Sequence, residues 1–178
     1  GVEYDHFARA QDLGPGVPED IRAIGKPIAG WFGVIDERMD YELVGRVADL
    51  RPDWSFVLIG PVVKVDPSEL PQRANIYWLG PRDYAQLPDY CRAFDACMMC
   101  FAINEATEFI NPTKALEYLA TGKPVISTPV ADVVRQYSDL ITIASDAESF
   151  AEGLRRAKGA TRDERIALGI EKARKCSW

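Results

Sequence analysis

Apolar and polar positions divide the chain into short buried runs separated by amphipathic segments. Residues 27–34 form an apolar run without polar alternation, which is typical of a parallel strand covered on both faces. Similar runs predict five further strands, at 54–60, 75–80, 95–101, 124–127 and 140–144. Helical spacing predicts helices between and after them, at 41–50, 87–94, 111–121, 132–137, 146–157 and 161–178. Because strands alternate with helices, the sequence predicts an α/β fold with a doubly wound, Rossmann-like parallel sheet of about six strands.

The stretch 111–128 predicts one helix followed directly by a buried strand, and the rest of the chain is organised around it. Asn111 is a good N-cap, and Pro112 suits the first helical position because its missing N–H has no helical partner there. Gly122 ends the helix, and Pro124 cannot continue it. A single apolar stripe of Leu116, Leu119 and Ala120 gives this helix one buried side.

The beginning of this helix carries candidate binding chemistry. The backbone N–H groups of Thr113 and Lys114 are expected to point out of the helix N-terminus, where the helix dipole favours a phosphate. Lys114 adds a mobile positive charge, and Glu117 lies one turn deeper on the same side, within reach of a sugar attached to that phosphate. This spacing suits a nucleotide. A solvent-exposed Lys–Glu pair with no ligand explains the same spacing, so both interpretations stay open at this point.

A resemblance to a known family favours the nucleotide. Residues 112–126 read Pro-Thr-Lys-x-x-Glu-Tyr-Leu-Ala-x-Gly-Lys-Pro-Val-Ile. This run resembles the signature of the nucleotide-sugar-binding half of GT-B glycosyltransferases, in the large retaining group called family 4 (glycosyltransferase group 1). The resemblance implies that the helix N-terminus, with Asn111, Thr113 and Lys114, holds the donor diphosphate. It also implies that Glu117 binds the nucleotide ribose and that the fold is the C-terminal half of a GT-B enzyme.

Two departures from the family pattern affect the other expected contacts. The family carries an arginine in the turn after the first strand as a diphosphate clamp, but Val34 stands there, which leaves Arg38 as the candidate clamp or as an ordinary surface residue. The family also pairs two glutamates eight residues apart, and Phe109 stands eight positions before Glu117. Glu108, one position away, is then the candidate contact to the donor sugar.

Main-chain groups add three more candidates. The backbone N–H groups of Phe109 and Ile110 are expected to face the sugar or phosphate, since a main-chain donor depends little on side-chain identity. The predicted strand at 75–80 ends in Gly80, where the absent side chain lets a ligand approach the backbone. Residues 76–82 resemble the family loop that contacts the base, so Arg82 is expected either to stack on the base or to solvate the loop.

Composition limits the alternatives. The chain has 178 residues, 47% of them hydrophobic, and a net charge of −6, which argues against a general nucleic-acid or anionic-membrane binder. Its apolar runs are shorter than the ~18–20 residues that span a bilayer. Four cysteines are too few and too unevenly spaced for a disulfide framework, which favours a reducing cytoplasm. Cys97 and Cys100 lie in a predicted buried strand and point to opposite faces, so no metal site and no cofactor are expected.

The domain organisation follows from the same resemblance. Residues 1–26 lack sustained periodicity and are interpreted as a linker, in which His6 is an exposed or packing residue. Residues 27–178 are interpreted as the nucleotide-sugar-binding domain. The resemblance implies that an N-terminal acceptor domain and a final crossover helix belong to the same protein outside this stretch, and any membrane contact is assigned to that other half.

The expected function is that of the donor-binding domain of a glycosyltransferase, which transfers a sugar from a nucleotide diphosphate sugar to an acceptor. The resemblance implies retention of configuration, no metal, and a role in bacterial surface polysaccharide or glycoconjugate synthesis. Two alternatives stay open, a non-catalytic nucleotide-binding module of the same fold and a GT-B nucleotide-sugar epimerase. Because chemistry in a two-domain enzyme occurs when the two halves close, the chain alone is expected to bind nucleotide without transferring sugar.

Overall fold

A computed structural model describes residues 1–14, 16–108, 110, 113–158 and 164–178, and it contains one parallel sheet. The strands are β1 (Ile28–Phe32), β2 (Ser55–Ile59), β3 (Ile76–Gly80), β4 (Ala96–Met99), β5 (Val125–Ser127) and β6 (Thr142–Ile143). They lie in the order β3-β2-β1-β4-β5-β6, and every neighbouring pair is parallel. The predicted doubly wound, Rossmann-like sheet of six strands is confirmed.

Helices flank this sheet. They are α1 (Tyr4–Ala8), α2 (Glu19–Arg22), α3 (Tyr41–Leu50), α4 (Leu87–Cys91), α5 (Thr113–Ala120), α6 (Ala131–Tyr137), α7 (Ala147–Ala157) and α8 (Glu164–Lys175). Helix α5 packs against α1 and α8, whereas α3 packs against α7. Among the described residues, no helix combines the length and the hydropathy needed to cross a bilayer.

Local sequence signals explain where several helices begin and end. The Asp40 carboxylate accepts a hydrogen bond from the Leu43 N–H at 3.0 Å and caps α3. Asp146 and Ser149 form a capping box at the start of α7, where the sequence predicted a cap. Helix α5 ends before Gly122, which has a φ of +74° and allows the chain to turn directly into β5.

Residues 1–26 differ from the predicted linker. Two short helices, α1 and α2, lie in this segment, and the side chains of Phe7 and Ile21 are fully buried in the core. The Gln11 side-chain amide donates to the Ala120 carbonyl at 2.8 Å, at the last residue of α5. Each helix is only four or five residues long, so the segment has no apolar repeat from which a helix could be predicted.

Three glycines follow or end the neighbouring strands β1, β2 and β3 at their carboxyl ends. Gly33, Gly60 and Gly80 have φ values of +134°, +152° and +78°, a region that disfavours other residues. A Cβ on Gly60 would overlap the Gly33 carbonyl group, whereas a Cβ on Gly80 would meet no atom within 4 Å. Gly33 and Gly60 therefore allow the chain after β1 and the chain after β2 to approach each other closely, whereas Gly80 borders open space.

The sheet opens between β1 and β4. Strand β1 pairs with β2 up to Phe32, but its pairing with β4 covers only Ala29 and Gly30. Beyond that point, side chains of α5 and not a neighbouring strand form the hydrogen bonds of the Phe32 backbone on this side of β1. The Phe32 N–H donates to the Tyr118 phenolic oxygen at 3.2 Å, and the Phe32 carbonyl accepts from the Lys114 ammonium group. Helix α5 is thus fixed to the carboxyl end of β1.

Candidate functional site

The candidate site lies at the carboxyl ends of β1 and β4, where the strand order reverses direction. In open α/β sheets this position is the usual place for a ligand, because the two following loops diverge and leave a crevice. Helix α5 begins at the same edge, so Thr113, Lys114 and Glu117 lie in its first two turns there, and their contacts with a ligand stay predictions. Asn111 and Phe109, which were predicted to contribute, lie outside the described residues.

Lys114 is held in place, which corrects the expectation of a mobile charge. Besides donating to the Phe32 carbonyl, its ammonium group lies 4.5 Å from the ring centre of Trp31, 4.7 Å from that of Phe32 and 5.4 Å from that of Tyr118. Aromatic faces and a carbonyl oxygen all favour a cation. Burial nevertheless dominates and lowers the pKa of Lys114 to about 8, with Glu117 opposing the shift.

The Glu117 side chain is half-buried. Within the described part of the chain, its carboxylate accepts no hydrogen bond and forms no ion pair within 4.0 Å. Burial raises the pKa of Glu117, and Lys114 lowers it less strongly. A solvent-exposed Lys–Glu pair does not describe this arrangement, because Lys114 bonds to the strand instead. A half-buried carboxylate without a partner at a sheet edge is typical of a ligand-binding group.

Arg38 lies in the turn after β1, but it is already engaged. Its Nε lies 3.1 Å from one oxygen of Asp36 and its Nη2 lies 3.0 Å from the other, so the two side chains form a bidentate pair. Burial opposes ionisation of Asp36, yet the hydrogen bonds from Arg38 hold the pKa of this carboxyl group below its ordinary value. Arg38 therefore matches neither a mobile surface residue nor a free clamp. Val34, at the family's arginine position, is 44% exposed.

Gly80 and Arg82, at the end of β3 and in the loop that follows it, have different surroundings. Gly80 faces open space, as expected of a residue that lets a ligand approach. Arg82 instead binds the chain itself, donating to the Tyr90 phenolic oxygen at 2.8 Å, to the Leu79 carbonyl at 2.7 Å and to Asp20 at 2.9 Å. These contacts differ from both expected roles, base stacking and loop solvation. They link α2, the loop and α4, so Arg82 has a structural role here.

The remaining predicted contacts are less well placed. Glu108 is exposed in the loop before α5, and its backbone N–H donates to the Glu105 carbonyl at 3.4 Å. The side chain of Ile110 is buried, which leaves only its main chain to face a ligand. The contacts proposed for Glu108 and Ile110 therefore stay predictions.

Cys97 and Cys100 are buried free thiols. Burial raises the pKa of both Cys97 and Cys100 to about 12, so both remain protonated thiols at neutral pH. Within the described ranges, no cluster of three or more His, Cys, Asp or Glu side chains has the arrangement of a metal site.

Sequence reasoning missed a group of side chains next to Glu117. Tyr84 follows β3 and is 46% exposed, and the ring of His6 stacks on it with centroids 4.2 Å apart and planes 11° apart. Burial raises the pKa of Tyr84 to about 12, and the carboxylates of Glu3 and Glu117 add to this shift. Tyr84 and Glu117 lie far from each other and from the segment of Glu3 and His6 in the sequence. No local motif therefore indicates that these four residues lie at one end of the sheet. The sequence offers one indication of this group, which is an aromatic residue, Tyr84, shortly after a strand that ends in glycine.

Two surface pockets lie away from the candidate site. A cavity of about 690 Å³ adjoins the edge strand β6, and one of about 530 Å³ lies at the amino ends of β4 and β5. Neither is lined by Lys114, Glu117 or Tyr84.

Comparison with known proteins gives the same family as the sequence resemblance. Residues 28–158 match the family described as "Glycosyl transferases group 1". The chain is 31% identical over 133 residues to "Putative teichuronic acid biosynthesis glycosyltransferase TuaH" of Bacillus subtilis (strain 168), an alignment that covers 72% of this chain and 32% of the relative.

Solved structures share the fold at low identity. Anabaena HepE, whose crystal structure contains UDP and glucose, aligns with a TM-score of 0.70 and 14% identity over 96% of this chain and 50% of its own. A glycosyltransferase from Rickettsia africae aligns with a TM-score of 0.71 and 16% identity, covering 98% of this chain and 50% of its own. The chain thus spans about a third of the curated relative and half of these solved chains. It has the Rossmann-like fold of one half of a GT-B enzyme and belongs to the glycosyl transferases group 1 family.

Proposed function

We propose that this chain binds the nucleotide of a nucleotide diphosphate sugar at the carboxyl ends of β1 and β4, as the donor half of a sugar-transferring enzyme. The observation that carries the proposal is the half-buried carboxylate of Glu117, which pairs with none of the described residues and lies one turn from the fixed ammonium group of Lys114. A carboxylate accepts two hydrogen bonds from ribose hydroxyls, and a cation near a helix N-terminus suits the diphosphate. The spacing of these two charges supports a nucleotide as the ligand.

Relatives support a nucleotide sugar as the ligand. The Anabaena structure holds UDP and glucose, and a trehalose-6-phosphate structure from E. coli holds UDP-2-fluoro glucose. The Bacillus relative is named for teichuronic acid biosynthesis, which supports a role in surface polysaccharide synthesis. We extend the proposal to transfer with retention and without a metal, with the acceptor bound by a second domain of the same protein.

Titration with UDP, GDP and ADP, followed by calorimetry, tests the proposal. The contacts predicted for Thr113, Lys114 and Glu117 address ribose and phosphate, which the three nucleotides share. Binding of at least one of them is therefore expected, and its base preference narrows the donor. The matched control is the corresponding nucleoside, which lacks the diphosphate and is expected to bind far more weakly. Absence of binding by all three nucleotides contradicts the proposed function.

Lys114 makes nucleotide binding depend on pH. Because a bound diphosphate favours the protonated lysine, affinity is expected to fall above the pKa of about 8 that this group has in the free protein. Lys114→Met keeps the length of the side chain and removes the charge, so it should weaken binding at neutral pH by about 1.5–3 kcal/mol and abolish the fall at high pH. Calorimetric titrations between about pH 7 and about pH 9 measure both effects.

Lys123→Met is the matched control for Lys114. Lys123 is also partly buried with a lowered pKa, and it donates to the Arg92 carbonyl at 3.1 Å, beyond the other end of α5. This variant is expected to retain the wild-type affinity and the wild-type pH dependence. If Lys114→Met keeps the same pH dependence as the wild type, the phosphates bind away from Lys114.

A non-catalytic binding module is the second candidate function. It is favoured by Val34 at the family's arginine position and by the engagement of Arg38 with Asp36, which together leave the clamp incomplete. Both candidates bind nucleotide, so an assay for transfer or hydrolysis of the preferred nucleotide sugar by the complete protein separates them.

A further inference from the structure

The ring of Tyr84 is held in a fixed orientation although it is exposed. On one side His6 stacks on it at 4.2 Å, and the His6 Nε2–H donates to the Tyr84 carbonyl at 2.9 Å. Phe7 meets it edge-on, with ring centroids 5.7 Å apart and planes 90° apart. Two residues of α1 therefore hold Tyr84 in place, and nearly half of its surface still faces solvent.

A continuous series of aromatic contacts connects Tyr84 with the helix that carries Glu117. Tyr84 opens the 3₁₀ turn Tyr84–Gln86 that follows the carboxyl end of β3, and Gly80 leaves open space beside that strand end. The rings of Phe7, Phe32 and Tyr118 continue from Tyr84 towards α5, with neighbouring centroids 5.0–5.7 Å apart. Glu117 lies next to Tyr118 on α5, close enough for its charge to act on the Tyr84 phenol. The exposed ring and the unpaired carboxylate thus share one edge of the sheet.

An exposed, immobilised aromatic ring has a recognised use. Bases of all kinds stack on aromatic side chains, because every base has a π-face, and the contact tolerates different bases. Immobilising the ring beforehand removes the ordering cost that a flexible side chain would add on binding. Packing alone explains the contact with Phe7, but it does not explain a ring held so that much of it stays in solvent.

We infer that Tyr84, supported from behind by His6, is the stacking platform for the base of a nucleotide whose ribose is bound by Glu117. The inference rests on the proposed function and adds the base-binding residue to it. It also gives residues of α1 a positioning role, since His6 touches the platform and not the ligand. Arg82, which the sequence offered as the stacking group, is instead occupied by Asp20 and Tyr90.

Two substitutions at Tyr84 separate stacking from packing. Tyr84→Phe keeps the ring and is expected to change the affinity for the best-binding nucleoside diphosphate by less than about twofold. Tyr84→Leu keeps an apolar side chain against Phe7 but removes the π-face, and it is expected to weaken binding by about tenfold or more. Tyr84→Leu should weaken the binding of UDP, GDP and ADP by similar factors. A residue that recognised one base by hydrogen bonds would instead weaken the binding of that nucleotide most.

A spectroscopic measurement on the wild-type protein does not depend on the stability of any variant. Stacking of a base over Tyr84 should shift the NMR resonances of its ring protons through the ring current of the base, with the resonance assigned by its loss in Tyr84→Phe. His6→Leu should reduce both the affinity and this shift, because it removes the support of the platform. A merely structural Tyr84 would show neither effect.

The outcomes distinguish this inference from the proposed function. If Tyr84→Leu binds like the wild type, or if the Tyr84 resonances do not move at saturating nucleotide, the inference is wrong while nucleotide binding stands. If the wild-type protein binds no nucleoside diphosphate, the proposed function fails and the inference fails with it.

Discussion

Replacing Gly60 with alanine is expected to lower the free energy of unfolding by about 3–5 kcal/mol, or to prevent folding. The residue has a φ of +152°, and its new Cβ would overlap the Gly33 carbonyl group, which is backbone and has little freedom to move. Gly33 follows Phe32, whose carbonyl binds Lys114, so a displaced Gly33 also disturbs the candidate site. Chemical denaturation followed by circular dichroism measures the loss.

Gly80→Ala is the matched control for this prediction. Gly80 also has a positive φ at the end of a strand, but a Cβ there meets no atom within 4 Å. Only the backbone strain remains, which amounts to about 1–2 kcal/mol. Equal losses for the two variants would show that the close approach of Gly60 to Gly33 does not govern stability.

Replacing Glu117 with glutamine is expected to weaken nucleotide binding by about 1.5–3 kcal/mol, because a neutral amide replaces charge-assisted hydrogen bonds to the ribose. The melting temperature should stay the same or rise slightly. Glutamine preserves the shape of the side chain and removes a half-buried charge with which no described residue forms an ion pair. Calorimetry gives the affinity, and thermal denaturation of the same samples gives the stability.

Glu171→Gln serves as the control for Glu117→Gln, since Glu171 is partly exposed on α8 and pairs with Arg174. It should leave nucleotide affinity unchanged. A Glu117→Gln protein that melts much earlier but binds nucleotide normally would assign Glu117 a structural role and contradict the proposed site.

Much of the sheet was predictable because its strands are buried on both faces. All five residues of β1 and of β2 are buried, which gives the continuous apolar runs that the sequence shows. Helix boundaries were predictable where a side chain marks them, as Asp146 and Gly122 do. Glu117 and Lys114 could be singled out because both lie within one helix, so their proximity follows from helix geometry alone.

The other half of the site was not predictable, because it is assembled from contacts between distant residues. His6 and Tyr84 are 78 positions apart, and Asp20 and Arg82 are 62 apart. His6 and Asp20 lie in helices of five and four residues, which are too short for a periodic pattern, and Tyr84 and Arg82 lie in the segment that follows β3. The sequence indicates that Arg82 is placed near a ligand-binding edge, but only the fold shows that the side chain is already bound.

The two bonds between α5 and Phe32 have a consequence for variation in the loop that precedes this helix. Side chains of Lys114 and Tyr118 fix α5 on β1, so the connection from β4 does not have to hold the helix in position. Residues can therefore be inserted or lost in that connection without moving Glu117. The sequence resemblance places one departure from the family pattern within this connection, where Phe109 stands eight positions before Glu117. The contact predicted for Glu108 and the contact proposed for Glu117 can therefore change independently in evolution, because the first residue lies in a loop and the second lies on a helix that its own side chains hold in place.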